Sequence, residues 1–192
     1  MSGAGWRLCA WGASNPAVTA SPDRVAAAAR RLKGTVGLVV ASRFMLWPDA
    51  SGEPMIGAHL RGLRPFLRRG DFAPGSRGHA NAHVIAPYVD VSVNRVAYSA
   101  FINTQLDWVL RHAGIETLVF CGIVTNGGVA SSVRDAHARE YRLIVLEDGC
   151  AAYGEAVHAT SIEDRRTVAK IDSCDGFLAM LNAGMDPGTG AG

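Results

Sequence analysis

Residues 118–146 read LVFCGIVTNGGVASSVRDAHAREYRLIVL, and this stretch decides the fold. It opens with LVFCGI at residues 118–123, a short apolar run that is typical of a buried strand. A turn with two glycines follows, and residues 126–139 then have the pattern of a helix. A second apolar run, YRLIVL at residues 141–146, predicts another strand. The order strand, helix, strand predicts a right-handed crossover between two parallel strands.

The same alternation continues in both directions along the chain. We predict further strands at residues 6–11, 36–42 and 89–93, and further helices at residues 24–32, 103–113, 155–170 and 176–181. Strands that alternate with helices predict a mostly parallel sheet with helices on both faces. Because 192 residues suit one hydrophobic core, we predict a single three-layer α/β/α domain at residues 1–184 and a flexible glycine-rich tail at residues 185–192.

Composition and charge exclude several classes of partner. The formal net charge is only +2, and no run of lysine and arginine exceeds two residues, so we expect no nucleic-acid partner. No apolar stretch approaches the roughly 20 residues that a membrane span needs, and we expect a cytoplasmic protein. The four cysteines are scattered without the close pairs of a zinc or redox motif, which predicts buried packing thiols.

The predicted topology also places a candidate site. Ligands of parallel α/β sheets bind beyond the carboxyl ends of the strands, which here points to the loops after Trp11, Ser42, Val93 and Ile123. Residues 43–89 have the least regular pattern, with a possible short helix at residues 59–67, and long loops of this kind are often functional. We therefore expect the functional residues at this edge.

Two segments resemble the isochorismatase-like, or cysteine hydrolase, superfamily. Residues 94–106, NRVAYSAFINTQL, are similar to that family's Lys-x-x-Tyr-Ser-Ala-Phe-x-x-Thr-x-Leu. Residues 122–136, GIVTNGGVASSVRDA, are similar to its Gly-(Val/Ile)-x-Thr-x-x-Cys-Val-x-x-Thr-x-x-Asp-Ala. The segment 147–152, EDGCAA, and His158 extend the resemblance, which covers residues 36–181. The resemblance implies the family's α/β/α fold.

The resemblance also implies an Asp, Lys and Cys trio, in which the cysteine attacks an amide carbonyl. In this alignment the lysine falls on Asn94 and the cysteine falls on Gly128. The best ungapped placement of the first strand puts the aspartate on Trp11, and a gap of a residue or two would put it on Ala10, Gly12 or Ala13. The expectation is a divergent member that lacks all three groups. Glycine has no side chain to act as a nucleophile, so thiolate catalysis at Gly128 is excluded. Family members that cleave isochorismate also carry glycine there, which keeps hydrolysis without a covalent intermediate open.

Other features of the family site could persist without the trio. The resemblance implies an oxyanion hole at the turn from Val124 to Gly128, with a cis peptide at Ile123–Val124. Phe44, Trp47 and Tyr98 are candidates for an aromatic pocket lining. Cys121 and Cys150 are weaker candidates for a displaced nucleophile, and packing is the preferred interpretation for both.

A metal site is the alternative that we consider and set aside. His79 and His83 are spaced as on one face of a helix, as in His-Glu-x-x-His zinc enzymes, but the glutamate is absent. The Asp-x-His pattern of the metal-binding nicotinamidases is also missing. We therefore expect no metal and no cofactor.

Two functional hypotheses follow from these residues. The first is a cofactor-independent hydrolase or lyase that acts on a small amide, vinyl ether or carboxylated metabolite without a cysteine nucleophile. The alternative is an inactive relative that binds a small metabolite or an active homologue. By resemblance, either protein is expected to form a homo-oligomer, a dimer or a tetramer, with no membrane partner.

Overall fold

The predicted alternation of strands and helices is present. The computed structural model describes residues 5–12, 22–33 and 37–184, and of residues 5–12 it describes the backbone. The strands are β1 (Gly5–Gly12), β2 (Leu38–Phe44), β3 (Val91–Arg95), β4 (Ile115–Ile123), β5 (Arg142–Ala151) and β6 (Lys170–Asp172). The helices are α1 (Pro22–Lys33), α2 (Ala58–Gly62), α3 (Leu106–His112), α4 (Ala130–His137), α5 (Glu155–Arg165) and α6 (Cys174–Asn182).

The described strands form one parallel sheet in the order β3-β2-β1-β4-β5-β6. Helices α1 and α6 pack on each other and on β5, while α4 and α5 form a second group that also packs on β5. Both groups contact the same strand but make no extensive contact with each other, which is the arrangement expected of helices on opposite faces of the sheet. This arrangement is the predicted three-layer α/β/α fold.

Consecutive apolar residues in the strands explain why both faces are covered. Val39, Val40 and Ala41 of β2 are all buried, although successive side chains of a strand point to opposite faces. A strand can bury every side chain only when helices lie on both sides of the sheet. Phe120 of β4 and Leu146 of β5 are likewise fully buried in the same core.

Two local predictions need correction, and a third is not tested. The helix predicted at residues 155–170 ends at Arg165, and Lys170 begins the edge strand β6. Three residues are too few to show a strand period, so the sequence pattern alone does not separate β6 from the helix. The helix predicted at residues 59–67 is limited to α2, which has five residues. The tail predicted at residues 185–192 lies outside the described residues and stays a prediction.

Candidate active site

The strand order reverses between β1 and β4, which makes this pair the switch point of the sheet. In open α/β sheets, ligands bind in the crevice beyond the carboxyl ends of the strands at this point. Gly12 ends β1 and Ile123 ends β4, so the loops after both strands border the crevice. Trp11 pairs with Ser42 in the sheet register, and its side chain lies outside the described part of the chain.

The chain turns sharply where β4 ends. The peptide bond between Ile123 and Val124 is cis, as the resemblance implied. Residues Thr125–Val129 then form one turn of π-helix that leads into α4. Gly128 is buried within this turn, at the position where the resemblance expects cysteine. The turn can therefore offer main-chain N–H groups near Val124 and Gly128 to an oxygen atom, but no nucleophilic side chain at residue 128.

A histidine forms a hydrogen bond with the first residue of this turn. Oγ1 of Thr125, which is fully buried, lies 2.9 Å from Nδ1 of His158 on α5. Buried hydroxyl groups almost always have a hydrogen-bond partner, and this one ties the turn to a neighbouring helix. The contact gives His158 a structural role.

The two segments that carried the resemblance lie against each other. The backbone N–H of Ala100 donates a 2.8 Å hydrogen bond to Oγ of Ser132 on α4. A Cβ atom added to Gly127 would lie 3.8 Å from the Tyr98 ring, so the ring packs directly beside the turn. Tyr98 is nonetheless about half exposed, which leaves its side of the turn open to small molecules. The segment after β3 and the turn after β4 therefore lie side by side at the edge of the sheet where the topology predicts a ligand crevice, and we call this crevice the cavity.

Arg95, at the end of β3, brings a buried positive charge to this cavity. The residue is 7% exposed, and its Nε donates a 2.9 Å hydrogen bond to the hydroxyl of Ser42 on β2. Its Nη1 donates to the carbonyl of Ala97 at 2.8 Å. Burial, together with the charge of Arg64, lowers the pKa of Arg95 to about 10. The side chain therefore remains a cation at neutral pH, able to stabilise negative charge but not to transfer a proton.

A second buried arginine comes from the long loop between β2 and β3. Arg64 is 8% exposed, and its guanidinium carbon lies 4.8 Å from the centre of the Tyr98 ring and 5.7 Å from that of Phe44. The Arg95 guanidinium approaches the same Phe44 ring, at 5.4 Å. Phe44 also packs edge-on against Phe72 at 5.2 Å. The Arg64 guanidinium thus approaches both rings, and the role of Phe44 and Tyr98 in lining a ligand pocket stays a prediction.

Asn94 points away from this group. Adjacent residues of a strand project to opposite faces, and Asn94 precedes Arg95 in β3. Its Oδ1 lies 2.9 Å from Nε2 of His79, whose Nδ1 accepts a 3.2 Å hydrogen bond from the N–H of Gly75. Because Nδ1 accepts, the proton of neutral His79 is on Nε2, and the ring donates to Asn94. Asn94 is thus occupied by a loop contact rather than directed towards Ser42.

The spacing within the motif agrees with this geometry. The family pattern places its lysine three residues before the tyrosine, and three residues before Tyr98 is Arg95. The alignment of the lysine with Asn94 is therefore displaced by one residue. Because Asn94 and Arg95 are adjacent in β3, their side chains lie on opposite faces of the sheet. A basic group is therefore retained at the position, as an arginine.

Comparison with known proteins decides the family. Residues 8–173 match the isochorismatase domain. The chain belongs to the isochorismatase family. Among curated relatives, ureidoacrylate amidohydrolase RutB of Agrobacterium fabrum is 37% identical over 120 residues, which are 62% of this chain and 50% of that protein. The chain thus spans about half the length of the curated relatives it matches.

Solved structures share the isochorismatase-like fold. A cysteine hydrolase from Pseudomonas syringae pv. phaseolicola 1448A aligns with a TM-score of 0.80 at 21% identity, covering 93% of this chain and 92% of the other. N-carbamoylsarcosine amidase from Thermoplasma acidophilum aligns with a TM-score of 0.68 at 23% identity, covering 88% and 96%. At these identities the similarity shows the fold of this isochorismatase-family chain.

The described thiols offer this family member no substitute nucleophile. Cys121, Cys150 and Cys174 are all buried. Burial raises the pKa of Cys150 to about 12, and burial together with a hydrogen bond to Asp148 raises that of Cys174 further. Thiols with raised pKa values are poor nucleophiles because almost no thiolate forms. The packing role that we preferred for Cys121 and Cys150 agrees with their burial.

The remaining candidates from the sequence do not join the cavity. Trp47 is 55% exposed and makes no ring contact with Phe44 or Tyr98 within the described residues. His79 ends a short 3₁₀ helix while His83 is exposed, so the two do not share the helical face that a zinc pair requires. No helix of the described chain has the length and apolar character needed to cross a bilayer.

Sequence reasoning missed the two arginines that matter most. Arg95 could have been found by counting back from Tyr98 in the motif. Arg64 carried no such signal, because it lies in the irregular loop where neither periodicity nor the resemblance places a side chain. Its position follows only from the tertiary packing of that loop onto Phe44 and Tyr98.

Proposed function

We propose that this isochorismatase-family chain hydrolyses the C–N bond of a small amide or ureido compound by direct attack of water. The observation that carries the proposal is that Tyr98 packs beside the buried turn at Gly128, while Arg64 links Tyr98 to the Phe44 ring that the Arg95 guanidinium also approaches. The printed names of its relatives support the choice of bond, since ureidoacrylate amidohydrolase and N-carbamoylsarcosine amidase are both named for C–N hydrolysis.

Each part of the cavity has a role in this reaction. The N–H groups of Val124 and Gly128 hold the carbonyl oxygen, which becomes negative as water adds to the carbonyl carbon. One well-placed donor of this kind contributes about 3 kcal/mol to the transition state. Arg95 adds a fixed positive charge in a buried setting, where electrostatic stabilisation is stronger than in water. The new bond joins the water oxygen to the carbonyl carbon, and the departing nitrogen takes up a proton that originates from the water.

Water serves as the nucleophile because residue 128 is glycine and the described thiols are buried. Arg95 holds charge but does not move protons, so its replacement of lysine favours a site that stabilises charge over one that activates a thiol. The inactive alternative rested on the loss of three groups at once. Arg95 retains a basic group at the lysine position, so only the aspartate and the cysteine are missing. The relatives are named as enzymes and give the inactive alternative no support.

A second candidate reaction is hydrolysis of a vinyl ether. Gly128 favours it, because the isochorismate-cleaving members that this chain resembles also carry glycine at this position. That reaction requires protonation of the substrate, and Arg95 is a poor acid at neutral pH. The amide reaction is therefore the better supported of the two.

Mass spectrometry can test the proposal with a panel of ureido acids, simple amides and cyclic vinyl ethers. We expect turnover of at least one amide or ureido compound, no covalent adduct on the intact protein, and no loss of turnover after treatment with iodoacetamide. Arg95→Met should abolish turnover, while Arg68→Met, a change at an exposed arginine, should preserve it. Turnover confined to vinyl ethers would favour the second candidate, and an acyl adduct on a cysteine would refute water attack.

A further inference from the structure

Three buried polar atoms without a hydrogen-bond partner belong to one part of the molecule. They are Nε of Arg43, Oγ of Ser76 and Oδ1 of Asn81, and they make up half of the six such side-chain atoms within the described residues. Buried polar groups almost always have a partner, so each exception needs a physical explanation. The three atoms therefore mark a place where hydrogen-bonding groups are left for a molecule other than the chain itself.

The sheet register places Arg43 on the far side of the sheet from the cavity. Arg43 lies between Ser42 and Phe44 in β2, so its side chain projects to the face opposite theirs. It pairs with Asn94 of β3, whose side chain likewise projects away from that of Arg95. Arg43 forms no ion pair within the described residues, and it is partly exposed, so an anion can reach its guanidinium from solvent.

The long loop between β2 and β3 brings Ser76 to the same place. Nε2 of His79 donates to Oδ1 of Asn94 at 2.9 Å, and Nδ1 of His79 accepts from the N–H of Gly75 at 3.2 Å. These two bonds hold Ser76, the residue after Gly75, close to the Asn94 side chain. The 3₁₀ helix at Arg77–His79 also packs on β2, the strand that carries Arg43.

Asn81 joins the group through the other polar side chain on this face of β3. Its Nδ2 donates to Oγ of Ser92 at 3.2 Å, and Ser92 lies two residues before Asn94, so the two side chains share a face. We call the whole group the rear cluster, which consists of Arg43, Ser76, His79, Asn81, Ser92 and Asn94.

The rear cluster has the chemistry of an anion site. It contains the unpaired charge of Arg43 and no aspartate or glutamate. Nε of Arg43 and the hydroxyl of Ser76 are both donors. Because the Ser92 hydroxyl can donate as well as accept, the Asn81 amide can turn to present N–H groups in place of its oxygen. Three donors on three separate segments suit a tetrahedral oxyanion, whose oxygens point in different directions, better than a planar carboxylate.

We infer that the rear cluster binds a small tetrahedral oxyanion such as phosphate through Arg43, Ser76 and Asn81. Arg43 supplies the charge-assisted hydrogen bond, which is the strongest of the three. His79 is a positioning residue, since its bond to Asn94 holds the loop that carries Ser76. The site lies on the opposite face of β2 and β3 from Arg95, so it is separate from the cavity and does not depend on the proposed hydrolysis.

Isothermal calorimetry tests the inference with inorganic phosphate, titrated into the whole chain at pH 7 and constant ionic strength. We expect one saturable site. Arg43→Met should weaken phosphate binding at least tenfold, because a hydrogen bond to a charged group is lost, and Ser76→Ala should weaken it about threefold. Arg43→Lys keeps the charge without the Nε donor and should fall between Arg43→Met and the parent. Phosphate should also shift the imidazole ¹⁵N resonances of His79.

Two arginine variants serve as controls. Arg68→Met changes an exposed arginine of the same loop, and Arg95→Met changes the arginine on the opposite face, so both should keep the phosphate affinity. Circular dichroism checks the fold of each variant, and Arg43→Lys gives a second reading if Arg43→Met does not fold.

A parallel titration with glycerol 3-phosphate separates two sources of the anion. Tighter binding than that of phosphate assigns the site to a phosphoryl group of a larger molecule, and weaker binding assigns it to the free ion. The inference is overturned if phosphate does not saturate a site, if acetate competes as well as phosphate, or if Arg95→Met abolishes binding while Arg43→Met preserves it.

Discussion

Nε of Arg95 donates a hydrogen bond to the hydroxyl of Ser42 at 2.9 Å, across two adjacent strands and in the interior of the protein. The two residues lie at the carboxyl ends of β3 and β2, so the bond fixes a cation at the edge of the sheet where ligands bind. Arg95 has the Arg64 charge nearby, and its lowered pKa shows that the fold pays a free-energy cost to hold it there. Perturbed pKa values of this kind are common at functional sites, which supports the role proposed for Arg95.

The first prediction concerns the stability of Arg95→Met. At neutral pH the desolvation of the buried cation costs more than its hydrogen bonds return, so we expect the free energy of unfolding to rise by about 1 kcal/mol. The pKa of Arg95 is lower in the folded state than in the unfolded chain, so the penalty is complete below pH 10 and declines as the pH rises above it. Urea denaturation of the parent and of Arg95→Met at pH 7 and pH 11 measures the free energy of unfolding. The difference in that free energy between the two proteins should be smaller at pH 11 than at pH 7. A variant that is less stable than the parent at pH 7 would contradict the argument.

The second prediction concerns the bond that joins the two motif segments. Ser132→Ala leaves the N–H of Ala100 buried without its acceptor, and both residues are fully buried. We expect the free energy of unfolding to fall by about 1–3 kcal/mol. Ser132→Thr retains the hydroxyl and should lose much less. Ser131→Ala, on the same helix but without a side-chain hydrogen bond within the described residues, provides the control; an equal loss in both alanine variants, measured in urea, would argue against the bond.

Much of the fold could be predicted because its signals are local. The apolar runs of β4 and β5 and the alanine-rich pattern of α1 need no tertiary information, since one chain segment carries each signal. Edge strand β6 could not be predicted in the same way. Its three residues are defined by hydrogen bonds to β5, and nothing in their own sequence distinguishes them from the end of a helix.

The candidate site was predictable only where a strand or a motif fixes the backbone. The turn at Gly128 and the rings of Phe44 and Tyr98 follow from strand ends and from the motif, and the structure brings them together. The lysine position of the family falls on Arg95 and not on Asn94, which shows how sensitive an alignment along a strand is to register. A shift of one residue moves a side chain to the other face of the sheet. The position of Arg64 could not be predicted from the sequence, because tertiary packing sets the path of the loop that carries it.

The third prediction concerns the hydrogen bond between Thr125 and His158. Thr125→Val keeps the shape of the side chain but removes the hydroxyl that pairs with Nδ1 of His158. We expect a loss of about 1 kcal/mol in the free energy of unfolding and a change in the imidazole ¹⁵N shifts of His158. Thr125→Ser keeps the hydroxyl and should preserve both. If the His158 shifts are the same in all three proteins, the side chains are not paired in solution.

The fourth prediction concerns Tyr141, whose hydroxyl donates a 2.9 Å hydrogen bond to Oδ1 of Asp107. Burial first, and this hydrogen bond second, raise the pKa of Tyr141 to about 12, so the folded protein keeps a phenolic proton that the unfolded chain releases. Its contribution to stability is therefore complete below pH 10 and is lost as the pH rises from 10 to 12, the opposite direction to Arg95. Tyr141→Phe removes this dependence, and we expect the variant to lose less stability than the parent between pH 9 and pH 11. An absorbance titration at about 295 nm, where tyrosinate absorbs, follows ionisation directly: the difference between parent and variant should show one phenol that ionises well above pH 10, and a midpoint at or below pH 10 would mean that Asp107 does not hold the proton.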